Sequence, residues 1–427
     1  MAPSYGWYGD DFTGATDTLA TLARRGHRAF LFLRVPEPQQ LARVGDLDAV
    51  GIAGAARTMS PEEMRTELMP VGSFFRNLGI RLLHYKCCST FDSAPERGNL
   101  AVAATILREF VAHETVAIVG GQPSLGRYCA FANLFASFGS GGDVFRLDRH
   151  PTMSRHPATP MNEADLRRHL GALGMPEVGA IHWPRLAGDQ EAIAAEWRHL
   201  SKTAPAVLLD ALDGQHIDAI GRLLRSESRQ RSLLAIGPSS IAQAFFPERE
   251  PAAGPSPDAT DGPVLAFVGS LSPTTRAQMA AAQSYERLAI DPAGILSSAD
   301  VREQVVAATV AMLAEGKHVM LSTAPEAGDV PHAAAANLAE VSAALVDAIL
   351  KRHPVQRLAI AGGDTSSRIA GHLGYWGLGY HRQIDNGVAV SLARSDDPSR
   401  DGMLVMLKGG QMGQERLFET FLDKSVA

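Results

Sequence analysis

The chain has 427 residues, of which 45% are hydrophobic and 20% are charged. This composition is typical of a folded globular protein and argues against disorder, and at roughly 150 residues per domain the length predicts two or three domains. The 46 acidic and 40 basic residues give a net charge of −6, which disfavours nonspecific binding to nucleic acids because that binding depends on neutralising phosphates.

The N-terminus and the cysteines exclude further classes of protein. The first 12 residues lack the basic start and apolar core of a signal peptide, and no segment reaches the ~20 apolar residues of a membrane span. Cys87, Cys88 and Cys129 are too few for a disulfide framework and lack the spacing of a zinc site. We therefore expect free thiols and a cytoplasmic protein without a membrane or nucleic-acid partner.

Short apolar runs alternate with amphipathic stretches along the first part of the chain. Strands are predicted at residues 4–9, 29–33, 49–53, 80–85, 116–119, 178–182, 206–209 and 233–236. Helices are predicted at residues 13–26, 61–78 and 100–112, and a helical stretch follows each of the last three strands. Strands that alternate with helices predict βαβ units and a mainly parallel sheet.

Residues 247–263 interrupt this alternation. Their sequence, PEREPAAGPSPDATDGP, is rich in Pro, Asp and Ala and has no apolar period, which is typical of a linker. Beyond it, strands are predicted at residues 264–268, 318–321, 357–361, 388–392 and 404–407, and helices at 274–283, 333–352, after Asp364 and at 415–424. We predict an α/β fold of two domains, residues 1–246 and 264–427, each a mainly parallel sheet flanked by helices, with a ligand cleft between them.

An open parallel sheet binds ligands at the carboxyl ends of its strands, and the motif GDDFTGATD follows the first strand. Its carboxylates, Asp10 and Asp11, can accept hydrogen bonds from ligand hydroxyls or hold a cation. The backbone amides of Thr13 and Gly14 open the first helix and suit an anionic group. The alternative is that Asp11 or Thr13 only caps the helix, but two acids and two glycines exceed what a cap needs.

A second polar motif, KCCSTFDS, begins at Lys86 and also follows a predicted strand. Lys86 supplies a cation, Ser89 and Thr90 supply hydroxyls, and Asp92 supplies a carboxylate. Together these groups can bind a polar ligand that carries a carboxylate and hydroxyls. The alternative is a solvated polar loop.

Two further segments of the first domain are candidates for function. GGQPSLGR ends at Arg127, whose guanidinium can bind a carboxylate or a phosphate in a bidentate manner, although a surface arginine beside a turn is the alternative. In the later stretch HPATPMNEADL, a helix is predicted to start at Thr159 or Asn162. His156 opens that stretch and is weak evidence on its own, because lone histidines are usually structural.

Three glycine turns connect a strand to a helix in the second domain. They are GSLSPTTR from Gly269, GGDTSS from Gly362 and KGGQMG from Lys408. Glycines let backbone amides approach a phosphate, and a helix N-terminus favours the anion. Asp364 lies in the second turn, where it can face Mg²⁺ or a reacting hydroxyl. The three turns predict a nucleotide-phosphate site, although the chain has no P-loop, no dinucleotide fingerprint and no nucleophile elbow.

The ordered set of motifs resembles the four-carbon acid sugar kinase family. The resemblance covers nearly the whole chain and rests on GDDFTGATD from Gly9, KCCSTFDS from Lys86, residues 156–166 and GGDTS from Gly362. It implies an N-terminal domain that binds an acid sugar and a C-terminal domain that binds ATP. The implied reaction is phosphoryl transfer to the terminal hydroxyl of compounds such as 3-oxo-tetronate, threonate or erythronate.

The resemblance also implies site residues and cofactors. The candidates for the substrate site are Asp10, Asp11, Lys86, Ser89 and Arg127. The candidates for the nucleotide site are Ser270, Gly362, Gly363, Asp364, Thr365, Ser366 and Gly410. ATP and Mg²⁺ are the implied cofactors, and Asp364 and Asp11 are rival candidates for the general base.

Two departures from the family pattern concern the substrate. The turn that begins at Lys408 reads KGGQMG where the family usually has KSGNFG, and Trp7-Tyr8-Gly9 replaces the commoner Ile-Ala before the two acids. These differences leave the reaction class unchanged. They make a branched acid sugar such as 3-oxo-isoapionate the alternative substrate.

Other classes of function remain open at this point. In one, Asp10 and Asp11 are metal ligands of a sugar-phosphate hydrolase or aldolase, which leaves the glycine turns unexplained. In another, the chain is a non-catalytic sensor, but no helix-turn-helix segment or basic patch supports that hypothesis. The Ala-rich helix at residues 333–352 is predicted to belong to the core, with a homo-oligomer interface as the alternative.

Overall fold

A computed structural model of the chain describes residues 3–139, 142–155, 159–250, 261–270, 272–323, 332–410 and 412–423, and it leaves out the side chains of residues 332–336 and 364. Contacts divide the chain into two units, Met1–Ala252 and Ala253–Ala427. The predicted linker at 247–263 includes residues 251–260, which lie outside the described residues. Its start is bound to the first unit, because His27 Nε2 donates to Pro247 O at 2.8 Å and Arg249 N donates to Arg25 O at 3.0 Å.

The first unit contains eleven of the described strands and nine of the described α-helices. The strands are Tyr5–Gly9 (β1), Ala29–Phe32 (β2), Ala49–Ala53 (β3), Leu82–Lys86 (β4), Val116–Val119 (β5), Arg127–Ala130 (β6), Asn133–Ser137 (β7), Val144–Arg146 (β8), Gly179–Ile181 (β9), Ala206–Leu209 (β10) and Leu233–Gly237 (β11). The helices are Phe12–Arg24 (α1), Pro38–Arg43 (α2), Pro61–Leu78 (α3), Leu100–Arg108 (α4), Leu166–Ala172 (α5), Trp183–Leu186 (α6), Gln190–Leu200 (α7), Gly214–Gln230 (α8) and Ser240–Phe245 (α9).

Eight of these strands form a parallel array in the order β2-β3-β1-β4-β11-β5-β10-β9. Strands β1, β3, β4, β5, β10 and β11 are buried along their whole length. Helices cover both faces of such an array, which explains why its strands are continuous apolar runs rather than alternating ones. The predicted α/β class and parallel pairing are therefore confirmed.

Helix α3 shows how local sequence sets the bounds of an element. Ser60 and Glu63 form a reciprocal capping box, and Pro61 occupies the first helical position, where no backbone N–H is needed. The helix ends at Gly79, whose φ of 72° is a left-handed conformation that glycine adopts without a steric penalty. Both ends agree with the predicted helix at residues 61–78.

The helix predicted to start at Thr159 or Asn162 begins later. Helix α5 starts at Leu166, and its cap is Asp165, whose side chain accepts from the backbone N–H of Arg167 at 2.9 Å. The preceding residues are extended, since Ala164 O accepts from the backbone N–H of Leu134 in β7 at 2.9 Å. His156 lies outside the described residues.

A small antiparallel sheet, in the order β6-β7-β8, was not predicted. Its first hairpin turns at Phe131 and Ala132, which have φ values of 48° and 66°. Such a two-residue turn normally selects Asn-Gly. Here the buried carboxylate of Asp210 accepts from the backbone amides of Phe131 at 2.7 Å and Ala132 at 3.0 Å. These two bonds stabilise a turn that its own residues disfavour.

The second unit has seven described strands and six described α-helices. The strands are Val264–Val268 (β12), Tyr285–Ala289 (β13), His318–Ser322 (β14), Arg357–Ala361 (β15), Tyr375–Asp385 (β16), Val388–Ser395 (β17) and Leu404–Lys408 (β18). The helices are Pro273–Ala281 (α10), Pro292–Ser297 (α11), Ala299–Ala314 (α12), His332–Arg352 (α13), Gly363–His372 (α14) and Leu417–Leu422 (α15).

The strands of the second unit lie in the order β13-β14-β12-β15-β18-β17-β16. The first five are parallel, and β17 and β16 form an antiparallel hairpin at the end. Helix α13 packs against α11, α12 and α14, with Ala343, Val346 and Ile349 buried. This is the core role predicted for the Ala-rich helix.

Two general properties of the described residues complete the fold. Cys87 and Cys129 are buried, Cys88 is half-buried, and all three are free thiols, as predicted. Within the described ranges, none of the helices combines the length and the apolar character that crossing a membrane requires.

We expect the substitution Gly51→Ala to lower the stability of the first unit by about 1–3 kcal/mol, the usual cost of overpacking a core. Gly51 in β3 is paired with Trp7 in β1, and a Cβ atom there would overlap the buried Trp7 ring. The matched control is Gly171→Ala in α5, where no other atom lies within 4 Å of the added Cβ. Urea denaturation of both variants checks the expectation, and equal midpoints would contradict it.

Candidate functional site

The parallel register of the first unit brings several motifs to one edge of the sheet. The last residues of β1, β3 and β4 are aligned, since Gly9 pairs with Ala53 and with Lys86. Lys86 in turn pairs with Gly237 at the end of β11. The segments that follow these strands therefore start side by side, as expected for the ligand edge of an open α/β sheet.

Arg57 is a candidate site residue that the sequence motifs did not indicate. It follows β3 by four residues, and its backbone N–H donates to Asp10 O at 3.1 Å. Its guanidinium group donates hydrogen bonds to both acids. Nη2 and Nε donate to Asp10 at 2.7 and 3.3 Å, and Nη1 donates to Asp11 Oδ2 at 2.9 Å. The signal that could have found it is its position, because β3 neighbours β1 and both strands end at the same edge.

The two acids differ in their electrostatics. Burial raises the pKa of Asp10 to about 6, against the opposing charges of Arg57 and Lys86. Burial alone would also raise the pKa of Asp11, but the charges of Arg57 and Lys86 and two further hydrogen bonds hold it below its usual value. Asp11 is therefore ionised throughout the physiological range, whereas Asp10 gains a proton just below neutrality.

Asp11 also caps α1, which was the alternative considered for this motif. Its carboxylate accepts from Gly14 N at 2.9 Å and from Thr13 Oγ1 at 2.8 Å. The expectation that the Gly14 amide is open to an anionic ligand is therefore wrong, because Asp11 already occupies that donor. The cap and the ion pair with Arg57 together use both oxygens of Asp11.

Gly14 is needed at its position for the approach of Lys86. An added Cβ atom at Gly14 would lie 2.5 Å from Lys86 Nζ. The ammonium group is buried and donates to Cys87 O at 2.9 Å. We name Asp10, Asp11, Arg57 and Lys86 the acid–cation cluster.

The turn after β4 is a strained, hydrogen-bonded loop. Thr90 Oγ1 donates to Asp92 Oδ1 at 2.6 Å and lies 2.9 Å from Cys88 Sγ. The buried residue Phe91 has a φ of 55°, an unfavourable conformation that is often found at functional sites. Burial, helped by Asp92, raises the pKa of Cys88 to about 11, so the thiol is protonated. Ser89 is half-buried in the same turn.

Arg127 lies at the start of β6 and is half-buried. Its Nη1 donates to Leu125 O, while its buried Nε has no hydrogen-bond partner among the described residues. Burial lowers the pKa of Arg127. Among the described residues no carboxylate pairs with this guanidinium, in contrast to Arg57.

In the second unit the three glycine turns meet at one edge, as predicted. Val268, Ala361 and Lys408 are aligned at the ends of β12, β15 and β18. The turns are linked there, because Gly269 N donates to Ala361 O at 2.9 Å and Gly362 N donates to Lys408 O at 3.0 Å.

Glycine is required where these turns approach one another. A Cβ atom at Gly410 would lie 2.6 Å from Ser270 Oγ. Gly362 has a φ of 127°, and a Cβ atom there would lie 3.2 Å from Thr365 Oγ1. The predicted nucleotide residues Ser270, Gly362, Thr365 and Gly410 therefore lie together.

The helices that follow the turns differ at their N-termini. Helix α10 is capped by Ser272, which accepts from Thr275 N at 3.1 Å. Helix α14 starts at Gly363, and the residue before it, Gly362, offers no side chain as a cap. Ser366 is fully buried in its first turn, and the side chain of Asp364 is outside the described part. The first-turn amides of α14 therefore have no side-chain cap, an arrangement that can accept an anion.

The geometry also bears on the metal hypothesis for Asp10 and Asp11. Arg57 donates three hydrogen bonds to these carboxylates, so the cation that they bind is the guanidinium group of Arg57. Among the described residues, no group of three or more His, Cys, Asp or Glu side chains is arranged to hold a metal ion.

Comparison with known proteins matches two family models to the chain. Residues 5–245 match the model of a sugar-binding N-terminal domain, and residues 265–418 match that of a nucleotide-binding C-terminal domain. The chain belongs to the four-carbon acid sugar kinase family. The motifs quoted above had predicted this membership.

Relatives and solved structures match the chain over its length. The 3-oxo-isoapionate kinase of Paraburkholderia graminis is 36% identical, over 96% of this chain and 92% of the relative. The 3-oxo-tetronate kinase of Methylobacterium radiotolerans is 31% identical, over 99% of each chain. A crystal structure from Salmonella typhimurium LT2 has a TM-score of 0.78 at 24% identity, over 97% of this chain and 98% of that one, which shows a shared fold.

We expect Arg57→Met to lower the free energy of unfolding by about 3 kcal/mol, because it leaves the buried carboxylate of Asp10 and the half-buried one of Asp11 without their partner. The matched control is Arg28→Met, which removes an exposed arginine 4.0 Å from Asp48 and should cost less than about 1 kcal/mol. Chemical denaturation at pH 7.5 measures both values. Equal losses would show that the acid–cation cluster does not stabilise the first unit.

Proposed function

We propose that this chain is an ATP-dependent kinase that phosphorylates the terminal hydroxyl of a small 3-oxo acid sugar. The observation that carries the proposal is the pairing of a sugar-binding and a nucleotide-binding domain in one chain, together with full-length relatives named as kinases. Among substrates, 3-oxo-isoapionate is the first candidate, because the relative named for it is 36% identical and the relative named for 3-oxo-tetronate is 31% identical.

In this proposal Arg127 binds the carboxylate of the acid sugar. Its guanidinium carries no carboxylate partner among the described residues, and its Nε is a buried donor without an acceptor there. A bidentate arginine–carboxylate pair is among the strongest polar contacts in proteins. Ser89, half-buried in the neighbouring turn, contributes a hydroxyl to the same ligand.

In this proposal the role of Asp10 and Asp11 differs from the ligand binding that the sequence motifs indicated. Their carboxylates orient Arg57 rather than the hydroxyls of the ligand, because Arg57 already donates to both. Arg57 keeps 22% of its side chain exposed, whereas Asp10 keeps 2%. The ligand therefore meets the guanidinium of Arg57 before it meets Asp10, whereas Asp11 keeps 16% of its side chain exposed, and Lys86 adds a buried positive charge.

The ATP phosphates bind at the three glycine turns of the second unit. The residues fit this ligand, because a Cβ atom added at Gly363 would meet open space and the first turn of α14 has no side-chain cap. Mg²⁺ bound to the phosphates would supply charge neutralisation, the main chemical need in phosphoryl transfer.

Asp364 is the preferred general base over Asp11. Asp11 accepts three hydrogen bonds, and its pKa is held below the usual value, so it is a weak base. The ligand cleft between the domains stays a prediction.

A coupled assay of ADP release tests the function. The purified full chain is incubated with Mg-ATP and, in turn, with 3-oxo-isoapionate, 3-oxo-tetronates, threonates and erythronates. We expect one of the 3-oxo acids to respond well above background. Glucose is the control and should not respond, because it offers Arg127 no carboxylate.

Each other outcome of this assay contradicts part of the proposal. If no acid sugar responds although ADP binding is measurable, the substrate class is wrong. If the chain neither binds nucleotide nor uses ATP, but releases phosphate from or cleaves a sugar phosphate, the hydrolase or aldolase hypothesis replaces the kinase.

The substitution Asp364→Ala tests the general base. We expect it to abolish measurable turnover, a loss of at least about 100-fold in kcat, while ADP binding is retained. The matched control is Asp300→Ala, which removes an exposed acid from the first turn of α12 and should leave kcat unchanged. A near-normal kcat in Asp364→Ala would remove this residue from the mechanism.

A further inference from the structure

Lys408 is a buried cation that neither the motif analysis nor the proposed mechanism uses. It is the last residue of β18, and its side chain is 0% exposed. Lysine is almost never fully buried unless an acid pairs with it. Among the described residues no carboxylate contacts Lys408, and its neighbours are neutral.

All three donors of the Lys408 ammonium group point at protein acceptors. Nζ donates to Gln278 Oε1 at 2.6 Å and to Thr275 Oγ1 at 2.7 Å, and it lies 3.5 Å from Gly410 O. An ammonium group has three hydrogens. Lys408 therefore has no donor left for a phosphate oxygen.

The partners of Lys408 hold the third glycine turn, which we define as residues 409–414 with residue 411 outside the described part. Gln278 Nε2 lies 2.9–3.0 Å from the carbonyl oxygens of Met412, Gly413 and Gln414 and donates to them. Thr275 Oγ1 lies 2.9 Å from Gly410 O, which also accepts from Ser272. Helix α10 and this turn are thus joined through Thr275 and Gln278, and Lys408 donates to both of these side chains.

We propose that Lys408 is a positioning residue of the nucleotide site, which holds the third glycine turn through Thr275 and Gln278 and places a positive charge behind the bound phosphates. The inference rests on the proposed function, because it takes the glycine turns to be the phosphate site. It differs from direct phosphate binding by a lysine, since each donor of Lys408 is already used.

A consequence for pH follows from the burial of Lys408. Burial lowers its pKa to about 7. Nearby phosphates favour the protonated ammonium, so nucleotide binding above pH 7 should take up a proton, and affinity should fall as the pH rises above 7. The titratable residues on the elements around it are Arg276 on α10, Arg357 on β15, Asp364, Arg368 and His372 on α14, Arg394 on β17 and Glu419 on α15.

Titration calorimetry of the full chain with Mg-ADP tests the inference, at pH 6.5 and 8.5 and in two buffers of different ionisation enthalpy. We expect wild-type protein to bind more weakly at pH 8.5, with proton uptake seen as a buffer-dependent heat. Lys408→Met should raise the Kd for ADP roughly 10- to 100-fold, the range expected for lost hydrogen bonds to a charged group, and remove the buffer dependence. The KM for ATP should rise likewise, while the KM for the acid sugar stays within about twofold.

A second pair of variants keeps the inference testable if Lys408→Met does not fold. Thr275→Val removes the hydroxyl that joins Lys408 to the turn, and Thr275→Ser retains it. We expect the valine variant to weaken ADP binding at least about fivefold and the serine variant to bind normally.

Three results would overturn the inference. If Lys408→Met folds and binds ADP with the wild-type Kd, the lysine does not position the turn. If it raises both KM values equally, its role is general stability. If wild-type protein binds no nucleotide at all, the proposed function fails and the inference fails with it. If wild-type protein binds nucleotide and only the expected effect of Lys408→Met is missing, the inference fails and the kinase proposal stands.

Discussion

The alignment of parallel strand ends is the constraint on which both candidate sites depend. Residues distant in sequence meet only because strands β1, β3 and β4 end side by side in the first unit, at Gly9, Ala53 and Lys86. The same holds for Val268 and Ala361 in the second unit, where Lys408 completes the row. A shift of one residue in any of these strands would move the following segment by about 3.3 Å and separate the groups that now share hydrogen bonds.

The partners of the buried charges differ between the two units. In the first, Arg57 contacts Asp10 and Asp11 at 2.7 and 2.9 Å, and Arg57 and Lys86 together balance the charges of the two acids, so the cluster adds little net charge to the ligand edge. In the second, Lys408 is surrounded by neutral acceptors, and its charge remains uncompensated among the described residues. An uncompensated buried cation favours an anion nearby, which agrees with a phosphate ligand in that unit.

The sequence predicted many of the strands and helices, because apolar runs such as residues 49–53 and 357–361 are buried strands at those bounds. It did not predict strand β13 or helices α11 and α12. It failed where distant residues decide local structure. The turn at Phe131 lacks Asn or Gly and depends on Asp210, 79 residues away. Arg57 belongs to no motif, and only the pairing of β3 with β1 shows its role. Strand β16 was missed although Asn386-Gly387 marked its hairpin, because two glycines interrupt its apolar pattern.

Specificity for acid sugars can arise only from polar groups that the protein has not already satisfied. Asp11 has two oxygens that accept three hydrogen bonds, so a ligand hydroxyl would have to replace one of them. Arg127 is different, because its buried Nε has no acceptor among the described residues, and an unsatisfied buried donor costs about 1–3 kcal/mol. In the proposed site, a ligand carboxylate removes that cost and a neutral sugar leaves it, so discrimination for the acid would follow from the guanidinium of Arg127.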